Sequence, residues 1–137
     1  MDTVSYSDLD PTDWWVRMAC AAWLCRFNAH IYGEVKVGAA VHGVDDAIYA
    51  GCNVEQVFRS RDVHAEVNAI TTMISQGCKR CDMILVVAER ERFTPCGGCL
   101  DWIFQHGGPE CLVGFQSRPQ ADISVYRAAE LMPFYPR

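Results

Sequence analysis

Residues 64–66 of this chain read His-Ala-Glu, and residues 95–99 read Pro-Cys-Gly-Gly-Cys. The two stretches offer three ligands of the types that zinc prefers, His64, Cys96 and Cys99, together with a separate carboxylate, Glu66. A structural zinc site normally closes with four protein ligands, whereas a catalytic site keeps one position open for water. The two stretches therefore predict a catalytic Zn²⁺ site, with Glu66 left free to transfer protons.

Each of these stretches stands at the start of a predicted helix that follows a predicted strand. Apolar spacing predicts a helix over 64–76, ended by Gly77, and an unbroken apolar run predicts a buried strand over 82–88 before a second helix over 97–106. A helix capped by Thr12 or Asp13 precedes them. Short β-rich runs predict four further strands, at 35–44, 47–52, 111–115 and 123–126.

The resulting order is α-β-β-α-β-α-β-β. This order predicts one α/β domain over residues 1–137, a three-layer α/β/α arrangement with a mixed five-stranded sheet. Ligands of open α/β sheets tend to bind at the carboxyl ends of strands, which is where both stretches are expected to lie.

Composition narrows the class of partner. The chain has 137 residues, 8 cysteines and a formal net charge of -5. Without a signal-peptide pattern, the cysteines are expected to be reduced thiols or metal ligands, and the location cytoplasmic. The acidic balance argues against polymeric nucleic acid, and no apolar run approaches the roughly 20 residues of a membrane span. We therefore expect a small-molecule substrate, with neither a membrane nor a nucleic-acid polymer as partner.

The predicted helix starts suit zinc chemistry. A helix N-terminus carries partial positive charge, which favours thiolates at Cys96 and Cys99. Zinc with an open position lowers the pKa of a bound water toward about 7. Glu66 is close enough along the chain to take a proton from that water and return it to a substrate. The backbone N–H groups of Ala65 and Cys96, unpaired at helix starts, could hold substrate oxygens.

A second pair with the same spacing, Cys78 and Cys81, offers a rival interpretation. Together with Cys96 and Cys99 it approaches the pattern of a four-cysteine structural zinc site. A strand over 82–88 would however span about 23 Å, at roughly 3.3 Å per residue, and would place Cys81 and Cys96 at its opposite ends. A redox role for the later pair would leave the His-Ala-Glu stretch unused. We therefore interpret Cys78 and Cys81 as plain thiols at a helix-to-strand turn.

Five short motifs stand in order between Tyr32 and Pro136. They are VGAA at 37–40, GCNVE at 51–55, HAE at 64–66, PCGGC at 95–99 and ELMP at 130–133. With these motifs the chain resembles the short, single-domain form of the cytidine deaminase family. The resemblance implies a cytidine deaminase-like fold and zinc-dependent hydrolysis of cytidine or deoxycytidine to uridine or deoxyuridine and ammonia.

The resemblance also implies roles for individual residues. His64, Cys96 and Cys99 would bind Zn²⁺, and Glu66 would be the catalytic proton shuttle. The substrate pocket would include Val35, Asn53, Glu55, Ala65 and Pro95. The amide and the carboxylate at 53 and 55 would hold ribose hydroxyls, which both groups bind well. Short members are typically homotetramers, so a homo-oligomer, tetramer or dimer, is expected.

Two departures from the family pattern concern the substrate. Val35 stands where the family usually has Phe, and the loss of a stacking ring costs ~1–3 kcal/mol by analogy with base–aromatic stacking. The tail aromatics Phe134 and Tyr135 could compensate, or they could pack as core. Arg59 and Arg61 stand where family members are usually small and uncharged. These arginines could meet a phosphate or carboxylate on the substrate, or lie at the surface or in an intersubunit ion pair.

Other functions remain open at this point. The chain could deaminate another aminopyrimidine, such as a blasticidin-S-type nucleoside, a nucleotide or a free base. It could also be a zinc-stabilised binding domain that has kept the fold without the activity. Replacement of Glu66 by Gln separates the two classes, because it should leave zinc bound in both but abolish ammonia release only in an enzyme.

Overall fold

The computed structural model describes residues 1–91 and 93–136, which contain six strands, four α-helices and two short 3-10 helices, Tyr6–Asp8 and Arg59–Arg61. The strands are β1 (Asp2–Val4), β2 (Gly38–Gly43), β3 (Ile48–Cys52), β4 (Cys81–Val87), β5 (Leu112–Gln116) and β6 (Ile123–Arg127). The helices are α1 (Trp14–Arg26), α2 (Ala65–Ser75), α3 (Gly97–Gly107) and α4 (Ala128–Leu131). Among the described helices, none has the length and apolar character that a membrane crossing requires.

The strands form one mixed sheet in the order β1-β6-β5-β4-β2-β3, in which only β4 and β5 run parallel. The mixed sheet is confirmed, but the expected number of five strands is wrong. The additional strand is the edge strand β1, which pairs with β6 through Asp2 opposite Val125. A strand of three residues is too short to show an alternating pattern, so only its pairing partner makes it a strand.

Helices cover both faces of the sheet, which confirms the three-layer prediction. Helix α1 packs on one face, and helices α2 and α3 pack on the other. Strand β4 serves both cores, with Leu85 and Val87 facing α1 and with Ile84 and Val86 facing α2 and α3. Because successive side chains of a strand point to opposite faces, a strand covered on both sides is apolar throughout.

The residues of the predicted site lie together along one edge of the sheet, which is formed by the start of β2 and the ends of β3 and β4. The first residue of β2, Gly38, pairs with Cys52 at the end of β3 and with Val87 at the end of β4. Helix α2 follows β3, and helix α3 follows β4, so both helices start at this edge. Close packing of α2 depends on Gly51, since a Cβ there would lie 2.4 Å from the backbone nitrogen of Ala69.

Strand β2 begins later than the sequence predicted, at Gly38 instead of Val35. The side chain of Asn53 explains the difference. Its Oδ1 accepts from the Val37 N–H at 2.9 Å, and its Nδ2 donates to the Val35 carbonyl at 3.0 Å. Residues 35–37 are therefore fixed by a side chain rather than by a continuous ladder, and they form a wall beside the site.

Candidate active site

The starts of α2 and α3 bring three potential metal ligands together. His64 is the N-cap of α2 and Cys96 is the N-cap of α3, and neither uses its side chain to cap its helix. His64 Nδ1 lies 3.2 Å from Cys99 Sγ and 3.5 Å from Cys96 Sγ. The two helix starts thus converge on one point, as the sequence predicted.

The donor set of this cluster fits zinc. One imidazole nitrogen and two sulfurs, all within 4.8 Å of one another, form the only group of three or more such ligands in residues 1–91 and 93–136. Zinc binds these donor types, and three protein ligands leave the open position of a catalytic site. His64 and Cys96 are exposed while Cys99 is buried, so solvent and substrate have access to the cluster.

Glu66 lies in the first turn of α2, beside the cluster but outside the group of ligands. It is only 6% exposed. Burial raises the pKa of the Glu66 carboxyl, against the lowering effects of its own backbone N–H, His64 and Cys99. A carboxyl whose pKa moves toward neutrality can both accept and donate a proton, which is the property of a proton shuttle.

The protonation of Cys99 depends on its buried surroundings. Burial raises the pKa of the Cys99 thiol far above its ordinary value, and neighbouring Glu66 and Cys96 raise it further. A thiolate at this position requires a cation beside it, so metal binding should release a proton from the site.

A cavity of about 290 Å³ adjoins the cluster. Its volume lies near the lower end of the range of roughly 300–1,000 Å³ typical of small-molecule sites. Most of the residues that the sequence assigned to the site line it, namely Val35, Asn53, Glu55, His64, Ala65, Glu66 and Cys96. Pro95 does not line it, although its neighbours Thr94 and Cys96 do. The cavity thus joins the metal cluster to the segment expected to hold the sugar.

The two expected sugar-binding side chains are held within the protein itself. Asn53 spans the backbone of residues 35–37, as described above. Oε1 of Glu55 accepts from the backbone N–H groups of Tyr32 at 2.7 Å and Gly33 at 2.8 Å. These bonds, followed by the nearby charge of Arg59, lower the pKa of Glu55. Glu55 is therefore ionised at neutral pH and fixes the wall of the cavity.

Arg59 and Arg61, in the segment before α2, have different positions relative to the cavity. Arg59 lines the cavity, donating from Nη2 to Glu55 Oε2 at 2.8 Å and from Nε to Asp62 Oδ2 at 2.7 Å. Arg61 is exposed and does not line it. Of the two, only Arg59 is therefore placed to contact a substrate within this chain.

The aromatic ring of Phe93 lines the cavity and was not predicted from the sequence. The ring packs edge-on against Phe115, with 5.5 Å between ring centroids. Val86, Arg90 and Thr94 also line the cavity and were not predicted. The available signal was the position of Phe93, an aromatic residue directly before the Thr-Pro-Cys run of the second motif.

The tail aromatics do not replace the ring missing at Val35 within this chain. Phe134 is 93% exposed. Tyr135 stacks on Phe104, with 4.3 Å between ring centroids, and its hydroxyl donates to Asp101 at 2.5 Å. Of the two alternatives, packing against the core is confirmed for Tyr135.

The four-cysteine zinc interpretation is wrong. Cys81 opens β4, and Cys96 follows the far end of that strand. Cys78 Sγ donates to the Arg80 carbonyl at 3.2 Å, and Cys81 Sγ donates to the His106 carbonyl at 3.8 Å. Both thiols are buried, as expected for plain thiols at a helix-to-strand turn.

Comparison with known proteins agrees with this geometry. The family model described as the cytidine and deoxycytidylate deaminase zinc-binding region matches residues 12–115. A cytidine deaminase of Sporosarcina psychrophila is 32% identical over 110 residues, which cover 79% of this chain and 80% of the relative.

Solved structures show the same fold. The cytidine deaminase of Burkholderia pseudomallei superimposes with a TM-score of 0.79 at 30% identity, covering 86% of this chain and 95% of that one. The cytidine deaminase of Mycobacterium leprae gives a TM-score of 0.77 at 28% identity, covering 88% and 98%. The chain therefore belongs to the cytidine and deoxycytidylate deaminase family, and it is a zinc-dependent deaminase.

Proposed function

We propose that this protein hydrolyses cytidine or deoxycytidine to uridine or deoxyuridine and ammonia. His64, Cys96 and Cys99 hold the zinc ion, and Glu66 transfers the protons. One observation carries the proposal. Three ligand atoms within 4.8 Å of one another stand beside a buried carboxyl at the wall of a cavity of about 290 Å³.

Zinc supplies water activation at neutral pH when it is bound. Glu66 accepts a proton from the attacking water and delivers it to the ring nitrogen of the base. It then delivers the second proton of that water to the amino group, the C–N bond breaks, and ammonia leaves while the ring carbonyl forms. Because Glu66 is buried, its carboxyl exchanges protons with the substrate in preference to bulk solvent.

Other residues of the cavity hold the base. Val35, Val86 and Phe93 supply apolar surface, and the Phe93 ring is the candidate for stacking on a pyrimidine. Ala65 stands at the first position of α2, where backbone N–H groups have no partner within the helix and are available to a substrate oxygen. A substrate contact by Pro95 stays a prediction.

A nucleotide or another acidic aminopyrimidine nucleoside is the second candidate substrate. The observation that favours it is Arg90, whose exposed side chain lines the cavity. A guanidinium at this position could pair with a phosphate or a carboxylate. The substrate screen below therefore includes monophosphates.

We also propose that the protein is a homo-oligomer, a tetramer or a dimer. Large apolar side chains are exposed beside the segment that lines the cavity, with Val57 73% and Phe58 74% exposed. Exposed apolar side chains in a group are typical of surfaces that another protein covers. The cytoplasmic location stays a prediction.

The test is a screen for ammonia release from cytosine, cytidine, deoxycytidine, the monophosphates of these two nucleosides, and adenosine. Glu66→Gln should retain zinc by metal analysis and lose about 10²–10⁴-fold in kcat, the usual contribution of acid–base catalysis. The matched control is Glu110→Gln, an exposed carboxylate paired with Arg127 and outside the cavity. Full activity of the Glu66 variant, or no ammonia from any pyrimidine with the zinc-loaded wild type, would refute the proposal.

A further inference from the structure

The end of the cavity at which the sugar is expected contains a charge cluster, of which the family motifs include only Glu55. Its members are Glu55, Arg59 and Asp62, and all three line the cavity. Glu55 is 8% exposed, whereas the Arg59 side chain is 55% exposed. The cluster therefore joins a buried acceptor to a donor that substrate can reach.

The hydrogen bonds of Glu55 limit what it can do alone. Both backbone N–H bonds from Tyr32 and Gly33 end on Oε1, and the Arg59 bond ends on Oε2. A carboxylate oxygen accepts about two hydrogen bonds, so Oε2 keeps room for one further donor. A sugar hydroxyl that donates to Oε2 must then lie against the Arg59 guanidinium.

Arg59 keeps donors for a ligand. Its bonds to Glu55 and Asp62 use one N–H at Nη2 and the one at Nε, and the guanidinium has further N–H groups at Nη1 and Nη2. The two carboxylates fix the plane of the guanidinium, so these remaining donors have a set direction. Fixed donors lose little side-chain entropy when a ligand binds.

The local charge selects between a hydroxyl and an anion as the group that Arg59 binds. Two carboxylates surround one guanidinium, so the cluster as a whole is negative. A phosphate or carboxylate here would gain one attraction and meet two repulsions at similar range. A neutral hydroxyl, which both donates and accepts, matches the Glu55–Arg59 pair without that penalty.

We propose that Arg59 determines substrate specificity by donating a hydrogen bond to a sugar hydroxyl whose proton is accepted by Glu55 Oε2. The inference rests on the proposed nucleoside deaminase function. It assigns the site to aminopyrimidine nucleosides that carry free sugar hydroxyls. A site that pairs a substrate hydroxyl with a buried charged group discriminates strongly against analogues that lack the hydroxyl.

The experiment compares kcat/KM for cytidine and for 2′,3′-dideoxycytidine in the wild type, Arg59→Gln and Arg59→Lys. The matched control is Arg61→Gln, because Arg61 is exposed in the same short turn and lies outside the cavity. Thermal unfolding and zinc content are measured for every variant. A lysine retains the charge but not the planar fork, so Arg59→Lys tests the geometry in a variant that perturbs the cluster less.

Arg59→Gln should lose about 10- to 100-fold on cytidine, the value of a hydrogen bond to a charged group, and much less on the dideoxy analogue. Arg59→Lys should lower the ratio of kcat/KM for cytidine to kcat/KM for the dideoxy analogue in the same direction. Arg61→Gln should leave that ratio unchanged. An equal loss on both substrates would show a purely structural role and overturn the inference. A wild type inactive on every pyrimidine would instead refute the proposed function itself.

Discussion

The chain contains two cysteine pairs with identical spacing, Cys78 with Cys81 and Cys96 with Cys99, and their surroundings differ. The later pair occupies the N-cap and first turn of α3, where both sulfurs reach the imidazole of His64. The earlier pair spans the turn from α2 into β4, and its thiols bond to backbone carbonyls. Spacing alone therefore does not make a metal site.

The difference between the pairs is one of geometry. Residues three apart at a helix start lie on one side of the helix and can face a common point. Cys81 is instead the first residue of a strand, and its thiol lies beside Cys111, whose hydrogen bond lowers the pKa of Cys81. The two pairs flank β4 at its opposite ends, and only one end receives a third ligand from another helix start.

Metal content should show the largest difference between variants of the two cysteine pairs. Cys99→Ala should lose bound zinc and with it deaminase activity, because two ligands remain of three. Cys78→Ala should retain one zinc per chain and wild-type activity, while losing about 1 kcal/mol of stability for the buried atom removed. Elemental analysis measures the bound zinc, and ammonia release measures the activity. Zinc loss in the Cys78 variant would contradict the assignment of Cys96 and Cys99 as the cysteine ligands.

Removal of the metal by a chelator should show the same difference between the two pairs as a change in thermal stability. A ligand present at about a thousand times its Kd stabilises the folded state by roughly 4 kcal/mol, which for a chain of this size corresponds to about 10 °C in Tm. A chelator should therefore lower the Tm of the wild type and of Cys78→Ala by similar amounts. Differential scanning calorimetry of Cys99→Ala should show no such fall, and an equal fall there would break the assignment of the ligands.

The smallest expected effect concerns the glycines at the two pairs. A Cβ added at Gly77 or at Gly97 would have no heavy atom within 4 Å. The two positions differ in backbone conformation, because Gly77 has φ +104 whereas Gly97 is the first residue of α3. Gly77→Ala should cost about 1–2 kcal/mol for the left-handed backbone alone. Gly97→Ala should change the unfolding free energy by less than about 0.5 kcal/mol. Urea titration of both variants measures the contrast, and a larger cost at Gly97 would reverse it.

Local signals explain which predictions succeeded. Asp13 caps α1, accepting from the Trp15 N–H at 2.8 Å, and Gly77 follows the end of α2 with the backbone angle that its position implied. Both features depend on a few neighbouring residues, so a sequence pattern suffices to predict them. The apolar run of β4 was equally readable, since burial on both faces removes polar residues from a strand.

Other features depend on contacts between distant segments. Strand β1 exists because β6 offers an open edge, and the start of β2 is set by the side chain of Asn53. Phe93 lines the cavity together with residues of β4 and of the segment before α2. No local pattern encodes these pairings, because each requires knowing which segments are neighbours in space.

The sequence by itself was sufficient to predict the candidate metal ligands, the candidate proton-transfer carboxyl and the layered α/β class, because ligand chemistry, helix starts and apolar periodicity are properties of short segments. Only the tertiary structure decided that the candidate metal ligands converge on one point and that Arg59 joins Glu55 at the wall of the cavity. The physical reason is that a metal site and a charge cluster both require side chains from separate elements to converge within a few ångströms. That convergence is fixed by how α2 and α3 pack at one edge of the sheet.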